Sequence, residues 1–157
     1  MPGIVPKLAV HKLNVDSTFH PVKQKKRLFN DEKKKGIIEV IQTLLKANAI
    51  RDLKFPNWIA DFVLVNKPNN KWRMCTDFTS LKKVCPNDFY PLPCLRRLVD
   101  GREGHEVFNF MEAFQGYHLV RMLPEDEEKI AFITEYVLYC WKLMPFGLTN
   151  VAAHIHE

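Results

Sequence analysis

An amphipathic helix followed directly by two short strands is the feature that most constrains the fold of this chain. After Asn30, a candidate N-cap, apolar residues recur at helical spacing up to Lys46 and form one stripe: Ile37, Ile38, Val40, Ile41, Leu44 and Leu45. Residues 61–66 and 71–75 then have the character of two β-strands joined across a polar tip. Because the stripe must pack against another element, the pattern predicts a helix lying on a hairpin.

The rest of the chain mixes helices and strands without regular alternation, which favours an α+β fold over a doubly wound sheet. We expect residues 1–29 to form an extended basic arm and residues 30–157 to form one domain. The remaining predicted elements are a short helix at 92–99, a strand at 106–111 that ends at Glu112, strands at 129–134 and 138–143, and a last helix from about Thr149.

Composition is that of an ordinary globular domain, with 157 residues, 46% hydrophobic and 26% charged. No apolar run approaches the roughly 20 residues needed to cross a bilayer, and the first residues lack the apolar stretch of a secretory signal. The cysteines form no C-x-x-C pair, which favours reduced and mostly buried thiols: Cys75, Cys85, Cys94 and Cys140. The sequence therefore predicts an intracellular protein with no membrane partner.

Positive charge is concentrated near the start of the chain. Residues 1–60 carry 12 Lys and Arg against 5 Asp and Glu, whereas residues 61–157 carry 11 against 13. The densest cluster is Lys23, Lys25, Lys26 and Arg27. Such a cluster attracts a phosphate backbone irrespective of base sequence, so these four residues are candidate nucleic-acid contacts. A solvated, flexible arm with no ligand is the alternative.

Three segments resemble motifs of a known enzyme family. They are Lys-Trp-Arg-Met-Cys-Thr-Asp-Phe at 71–78, Phe-Met-Glu-Ala-Phe-Gln-Gly-Tyr at 110–117, and Leu-Met-Pro-Phe-Gly-Leu at 143–148. In order and spacing the chain resembles, over essentially its whole length, the reverse transcriptase of Ty3/gypsy-type long-terminal-repeat retrotransposons. The resemblance implies the fingers and the first half of a right-hand polymerase palm. It also implies an RNA/DNA template-primer and deoxynucleoside triphosphates as partners, with Mg²⁺ as cofactor.

The resemblance implies a triphosphate-binding role for the hairpin. Arg73 matches a fingers arginine that lies along the incoming triphosphate, with Lys67 or Lys71 as its lysine helper. A planar guanidinium suits phosphate oxygens, because it donates two parallel hydrogen bonds. The alternative for the two lysines is a basic hairpin tip in water.

The resemblance also implies contacts with the sugar and the base. Gln115, Gly116 and Tyr117 match the turn that lies beneath the sugar, where the aromatic ring excludes a ribose 2′-hydroxyl. Phe146 and Gly147 match the loop beneath the nascent base pair, where glycine permits close approach of the backbone. Without the resemblance, simple packing would be the ordinary interpretation of the ring of Tyr117.

Two departures from the family pattern concern the catalytic metals, which are held roughly 3.5–4 Å apart by carboxylates. Glu112 stands where the family has the first catalytic Asp, and the sequence ends at Glu157 before the family's Asp-Asp hairpin. We therefore expect a truncated domain with an incomplete metal site at Glu112 and no activity alone. A third departure is Val137, which replaces a hairpin glycine, so we expect strain at that turn.

Three functional hypotheses follow. The first is a fragment of a retrotransposon RNA-directed DNA polymerase that is inactive alone. The second is a non-catalytic nucleic-acid-binding module that uses the basic arm. The third is a polymerase half that is completed in trans by a chain carrying the Asp-Asp hairpin.

Overall fold

The structure, a computed structural model, describes residues 4–68, 71–86, 94–104, 107 and 116–148. The helices are α1 (Asp31–Lys46), α2 (Thr79–Lys82), α3 (Leu95–Asp100) and α4 (Pro124–Glu127), with 3-10 turns at Gly116–Leu119 and Glu128–Ile130. The strands are β1 (Val10–His11), β2 (Ile50–Asp52), β3 (Phe62–Asn66), β4 (Trp72–Thr76), β5 (Arg121–Met122), β6 (Ala131–Ile133) and β7 (Leu138–Trp141). The predicted α+β class is confirmed.

Helix α1 begins where the sequence predicts. The Asn30 side chain accepts a hydrogen bond from the backbone N–H three residues on, at 3.0 Å, which satisfies one donor of the first turn. Ile37 and Ile41 are buried, whereas Ile38 and Leu45 are 57% and 43% exposed. The apolar stripe is therefore narrower than predicted, since only its inner edge reaches the core.

The predicted hairpin is formed by β3 and β4, which pair antiparallel from Phe62 opposite Thr76 to Asn66 opposite Trp72. Helix α1 packs against it at Gly36, where a Cβ would lie 2.5 Å from Cδ1 of Trp72. Only a residue without a side chain allows this close approach of helix backbone to the ring. The helix and the hairpin thus form one unit, as the sequence predicts.

A three-stranded sheet in the order β2-β7-β6 forms the other part of the core, and both strand pairs are antiparallel. The ring of Phe132 on β6 lies 6.1 Å from that of Phe62 and 5.9 Å from that of Trp141, measured between centroids. These contacts join the hairpin to the sheet. Ile130 and Met144 are fully buried beside them.

The arm packs along the domain instead of extending into solvent. Strand β1 pairs in parallel with β5, and the backbone N–H of Leu13 donates to Oδ2 of buried Asp126 at 2.8 Å. Further along, the Gln24 side-chain oxygen accepts from the N–H of Asp61 at 2.7 Å. At these positions, polar groups of the arm bond to the body of the domain.

The turn between β6 and β7 shows no strain of the expected kind. Among the described residues, positive φ at a residue other than glycine occurs at Asn14, Asn48 and Phe55, and not at Val137. The turn closes instead through Thr134, whose N–H and hydroxyl donate to the carbonyl of Val137 at 3.0 and 2.7 Å. The expectation of strain was wrong because this four-residue connection does not need the left-handed conformation.

Some predicted elements differ from the structure or lie outside the described residues. Helix α3 begins at Leu95 rather than at 92, with Cys94 as its N-cap. Apart from residue 107, the predicted strand at 106–111 lies outside the described residues, as does the helix from Thr149. All four cysteines are free thiols, although Cys94 is exposed. Within the described part of the chain, no helix is long and apolar enough to cross a membrane.

Candidate functional site

A cavity of about 430 Å³ lies between α1, the hairpin and the segment that follows β7. It brings together three of the residues predicted to contact a nucleotide, Lys67, Arg73 and Phe146, which are far apart in the sequence. The full lining is Val40, Leu44, Lys67, Trp72, Arg73, Met74, Cys75, Thr76, His118, Trp141, Pro145 and Phe146. An apolar wall with two cations suits a ligand that has a flat ring and an anionic group.

The cations come from the hairpin. Arg73 lies on β4 with its side chain exposed, and Lys67 is half-buried just after β3. The N–H of Lys67 donates to the carbonyl of Lys71 at 2.9 Å, which closes the described part of the tip. Lys71 is exposed and does not belong to the cavity lining. Of the two candidate lysines, Lys67 is thus the one that lines the cavity with Arg73.

The loop after β7 supplies the opposite rim. Phe146 is 73% exposed there, and Gly147 has a φ of +98°. Among the described residues, the nearest neighbour of a Cβ at Gly147 would be Cδ2 of Phe78, at 4.0 Å. The backbone conformation, which L side chains rarely adopt, is therefore the reason for glycine that the described residues give.

The 3-10 turn Gly116–Leu119 is fixed against this loop by backbone hydrogen bonds. The N–H of Met144 donates to the carbonyl of Val120, and the N–H of Met122 donates to the carbonyl of Lys142, both at 2.9 Å. These bonds hold the chain just after the turn against the chain just before Phe146. The two segments predicted to contact sugar and base are thus neighbours.

Some predicted site residues cannot be located. Glu112 and Gln115 lie outside the described residues, as does the side chain of Tyr117, although its backbone belongs to the 3-10 turn. Their roles stay predictions. Gly116 begins the turn, and His118, two residues further on, lines the cavity.

His118 is a site residue that the sequence analysis missed. Its half-buried ring lines the cavity and lies 6.0 Å from that of Trp141, with an interplanar angle of 31°. Burial lowers the pKa of His118 below its ordinary 6.5, so the ring is neutral at pH 7. Its position directly after the candidate sugar-contacting Tyr117 was the available signal.

The four cations of the arm differ in their contacts. Lys25 is exposed, and Lys23 is also exposed although its backbone bridges to the segment before β3. The Lys26 ammonium donates to the carbonyl of Glu135 at 2.9 Å, and Arg27 pairs with a buried carboxylate. Half of the predicted phosphate-binding cluster thus makes contacts within the chain.

The residues of the described ranges do not fit a pair of divalent ions. The cavity lining contains no carboxylate, and no group of three or more His, Cys, Asp or Glu in these ranges is arranged to hold a metal. The thiols of Cys85 and Cys140 are poor ligands as well, because burial raises their pKa to about 11. Asp126 is buried but is already paired with Lys129.

Comparison with known proteins agrees with the geometry. The family described as reverse transcriptase (RNA-dependent DNA polymerase) matches residues 65–156. The transposon Tf2-3 and Tf2-7 polyproteins of Schizosaccharomyces pombe are each 30% identical over 130 residues, which is 83% of this chain. The chain spans about 9% of the length of these curated relatives.

Solved structures show the same fold. The native prototype foamy virus protease-reverse transcriptase matches with a TM-score of 0.78 and 21% identity, covering 99% of this chain and 20% of that one. The foamy viral protease-reverse transcriptase in complex with an RNA/DNA hybrid matches with a TM-score of 0.75 and 20% identity, over 99% and 20% of the two chains. The mixed helices and strands described above are thus the fingers and palm of that fold, and this chain belongs to the reverse transcriptase family.

Proposed function

We propose that this chain forms the nucleotide-binding fingers and adjoining palm of a retrotransposon RNA-directed DNA polymerase. The observation that carries the proposal is the shared cavity of Lys67, Arg73 and Phe146. Cations on the hairpin face an aromatic residue on the loop, and a nucleoside triphosphate has an anionic end and a flat base. The chemistry of the cavity and that of the ligand therefore match.

In this proposal each residue has a distinct role. The guanidinium of Arg73 donates paired hydrogen bonds to triphosphate oxygens, and Lys67 adds a second positive charge. The ring of Phe146 lies under the base, where Gly147 allows the loop to turn. Gln115, Gly116 and Tyr117 lie beneath the sugar, and Tyr117 excludes a 2′-hydroxyl.

The nucleic-acid partner proposed is an RNA/DNA template-primer. It is supported by foamy viral relatives whose structures contain an RNA/DNA hybrid or double-stranded DNA. Those proteins share the fold of this chain at about 20% identity.

We propose nucleotide binding for this chain and no chemical step. Mg²⁺ is the cofactor that the family resemblance implies, with Glu112 as its ligand here. The described carboxylates do not fit such a site, as shown above. We propose that the chain alone does not extend a primer.

Fluorescence titration of the 157-residue chain tests the proposal, because Trp72 and Trp141 both line the cavity. A deoxynucleoside triphosphate should change the emission on binding. Arg73→Ala should weaken binding about 10- to 100-fold, since a hydrogen bond to a charged group contributes roughly 1.5–3 kcal/mol. The matched control Arg102→Ala, at an exposed position outside the cavity lining, should leave affinity unchanged. Equal affinity in Arg73→Ala and the native chain would contradict the proposal.

Nucleic-acid binding through the arm is the second candidate function, favoured by the exposure of Lys23 and Lys25. If it holds, affinity for a duplex falls steeply with added salt, because counterions are released on binding. The double variant Lys23→Ala/Lys25→Ala should reduce that salt dependence. Binding that is unchanged in the double variant would exclude this role for the arm.

A further inference from the structure

His118 lies where the 3-10 turn Gly116–Leu119, β7 and the hairpin meet. Its ring lies against the indole of Trp141, at a centroid distance within the 4.5–7 Å range typical of interacting aromatic rings. The indole N–H of Trp141 in turn donates to Oγ1 of Thr76, at 3.3 Å. Thr76 is the last residue of β4, the strand that carries Arg73. A continuous chain of contacts thus runs from the turn to the hairpin.

The rest of this chain of contacts is well anchored. Trp141 is 5% exposed and lies 5.9 Å from the ring of Phe132, so it has little freedom to move. The carbonyl of Leu119, the last residue of the turn, accepts from the N–H of Ile4 at 2.8 Å. A hydrogen bond therefore holds the backbone just after His118. Among the described side chains of the turn, that of His118 contacts the cavity wall, at Trp141.

We propose that His118 is a positioning residue for sugar selection, which holds the turn bearing Tyr117 at a fixed separation from the hairpin through Trp141 and Thr76. This inference rests on the proposed function. Tyr117 is the adjacent residue of the same turn, so a shift of the His118 backbone moves it directly. Discrimination between deoxyribose and ribose depends on the place of the excluding ring, and a misplacement of about 1 Å is enough to cost roughly 100-fold in a well-aligned site.

The charge of His118 matters because its ring is partly desolvated. The titratable or charged groups that line the cavity with it are Lys67, Arg73 and Cys75 on the hairpin side, while α1 and the loop after β7 contribute apolar residues. A neutral ring packs against Trp141 without adding a third positive charge. Protonation would place a partly desolvated positive charge in this largely apolar cavity, which burial disfavours.

The first test follows the contact itself, by recording the three indole N–H resonances of the chain between about pH 7.5 and 5. The signal of Trp141, assigned with Trp141→Phe, should shift with a midpoint below 6.5, because burial lowers the pKa of His118. His118→Phe should abolish the shift, and the control His20→Phe, at an exposed position, should retain it. A Trp141 signal that is insensitive to His118→Phe would overturn the inference.

The second test measures the ratio of affinities for a deoxynucleoside and a ribonucleoside triphosphate. His118→Ala should lower the ratio about 10-fold, and His118→Phe should preserve it because a ring still fills the space. Thr76→Val removes the hydroxyl that accepts from Trp141 but keeps the shape of the side chain. It should also lower the ratio, and unlike His118→Ala it leaves no cavity.

The outcomes distinguish a failure of the role of His118 from a failure of nucleotide binding. Binding that depends on Arg73 but shows the native ratio in both His118→Ala and Thr76→Val would overturn the inference and leave the proposed function standing. No binding of either nucleotide by the native chain would overturn the proposed function and this inference with it.

Discussion

The guanidinium of Arg27 and the carboxylate of Asp61 form an ion pair, with 2.5 Å between Nε and Oδ2. The arginine side chain is 54% exposed, whereas that of the aspartate is 7% exposed. The other carboxylate oxygen of Asp61, Oδ1, is buried and has no hydrogen-bond partner among the described residues. The arm therefore supplies the charge that compensates a carboxylate at the base of the hairpin.

Arg27→Ala should destabilise the chain, because it leaves the buried carboxylate of Asp61 uncompensated. We expect a loss of about 1–3 kcal/mol, less than for a fully buried pair because the arginine is half in solvent. Urea unfolding followed by circular dichroism measures the change. The control Lys25→Ala, at an exposed neighbouring position, should be close to neutral. A loss no greater than that of the control would show that the pair does not anchor the arm.

Gly36→Ala should both destabilise the chain and disturb the cavity. An added methyl would lie 2.5–2.8 Å from three ring atoms of Trp72, and overpacking of this kind costs about 1–3 kcal/mol. The gain in helix propensity, about 1 kcal/mol, does not offset a clash this close against a rigid ring. Thermal unfolding should show a lower midpoint for Gly36→Ala than for Lys35→Ala on the exposed face of α1. A midpoint equal to or above the native one would contradict the described packing.

Gly147→Ala should cost about 1–3 kcal/mol through backbone strain, since its φ is +98° and no described atom would lie closer than 4.0 Å to the added Cβ. Gly147→Asn should lose less than Gly147→Ala, because asparagine tolerates left-handed conformations better. Chemical unfolding of the two variants gives the comparison. If alanine were tolerated as well as asparagine, the backbone of this loop would differ from the one described.

Acid should reduce the stability of the native chain through His118. Burial lowers its pKa below 6.5, so the folded state binds fewer protons than the unfolded state. This contribution to stability is fully present above about pH 6.5 and is lost as the pH falls through 6.5 towards the folded-state pKa. Between about pH 7.5 and 5.5, the free energy of unfolding should therefore decrease more for the native chain than for His118→Phe. Equal losses would mean that His118 is as solvated in the folded state as in the unfolded state.

Local patterns in the sequence predicted much of the fold. The cap at Asn30, the helix at α1 and the hairpin of β3 and β4 depend on neighbouring residues, and the structure confirms them, although the apolar stripe of α1 is narrower than predicted. The packing of the arm was not predictable, because it depends on long-range bonds such as Leu13 to Asp126, which leave no periodic signal. Nothing in the sequence indicates which buried carboxylate accepts from a distant backbone N–H.

The candidate site was predictable only in part and for a similar reason. Arg73 and Phe146 were assigned from separate motifs, and the structure brings both to one cavity. His118 was missed because its environment is created by Trp141, 23 positions away, and no local pattern reports that contact. The strain expected at Val137 was wrong because turn geometry depends on the length of the connection and on its hydrogen bonds as well as on residue type.

Photo-crosslinking with an azido-substituted deoxynucleoside triphosphate, followed by mass spectrometry of the labelled peptides, tests the central claim most directly. From the lining of the cavity we expect labelling of the segments 72–76 and 145–148. Arg73→Ala should reduce this labelling and leave the recovery of unlabelled peptides unchanged. Labelling confined to the arm at 23–27, and unaffected by Arg73→Ala, would contradict nucleotide binding between the hairpin and the loop after β7.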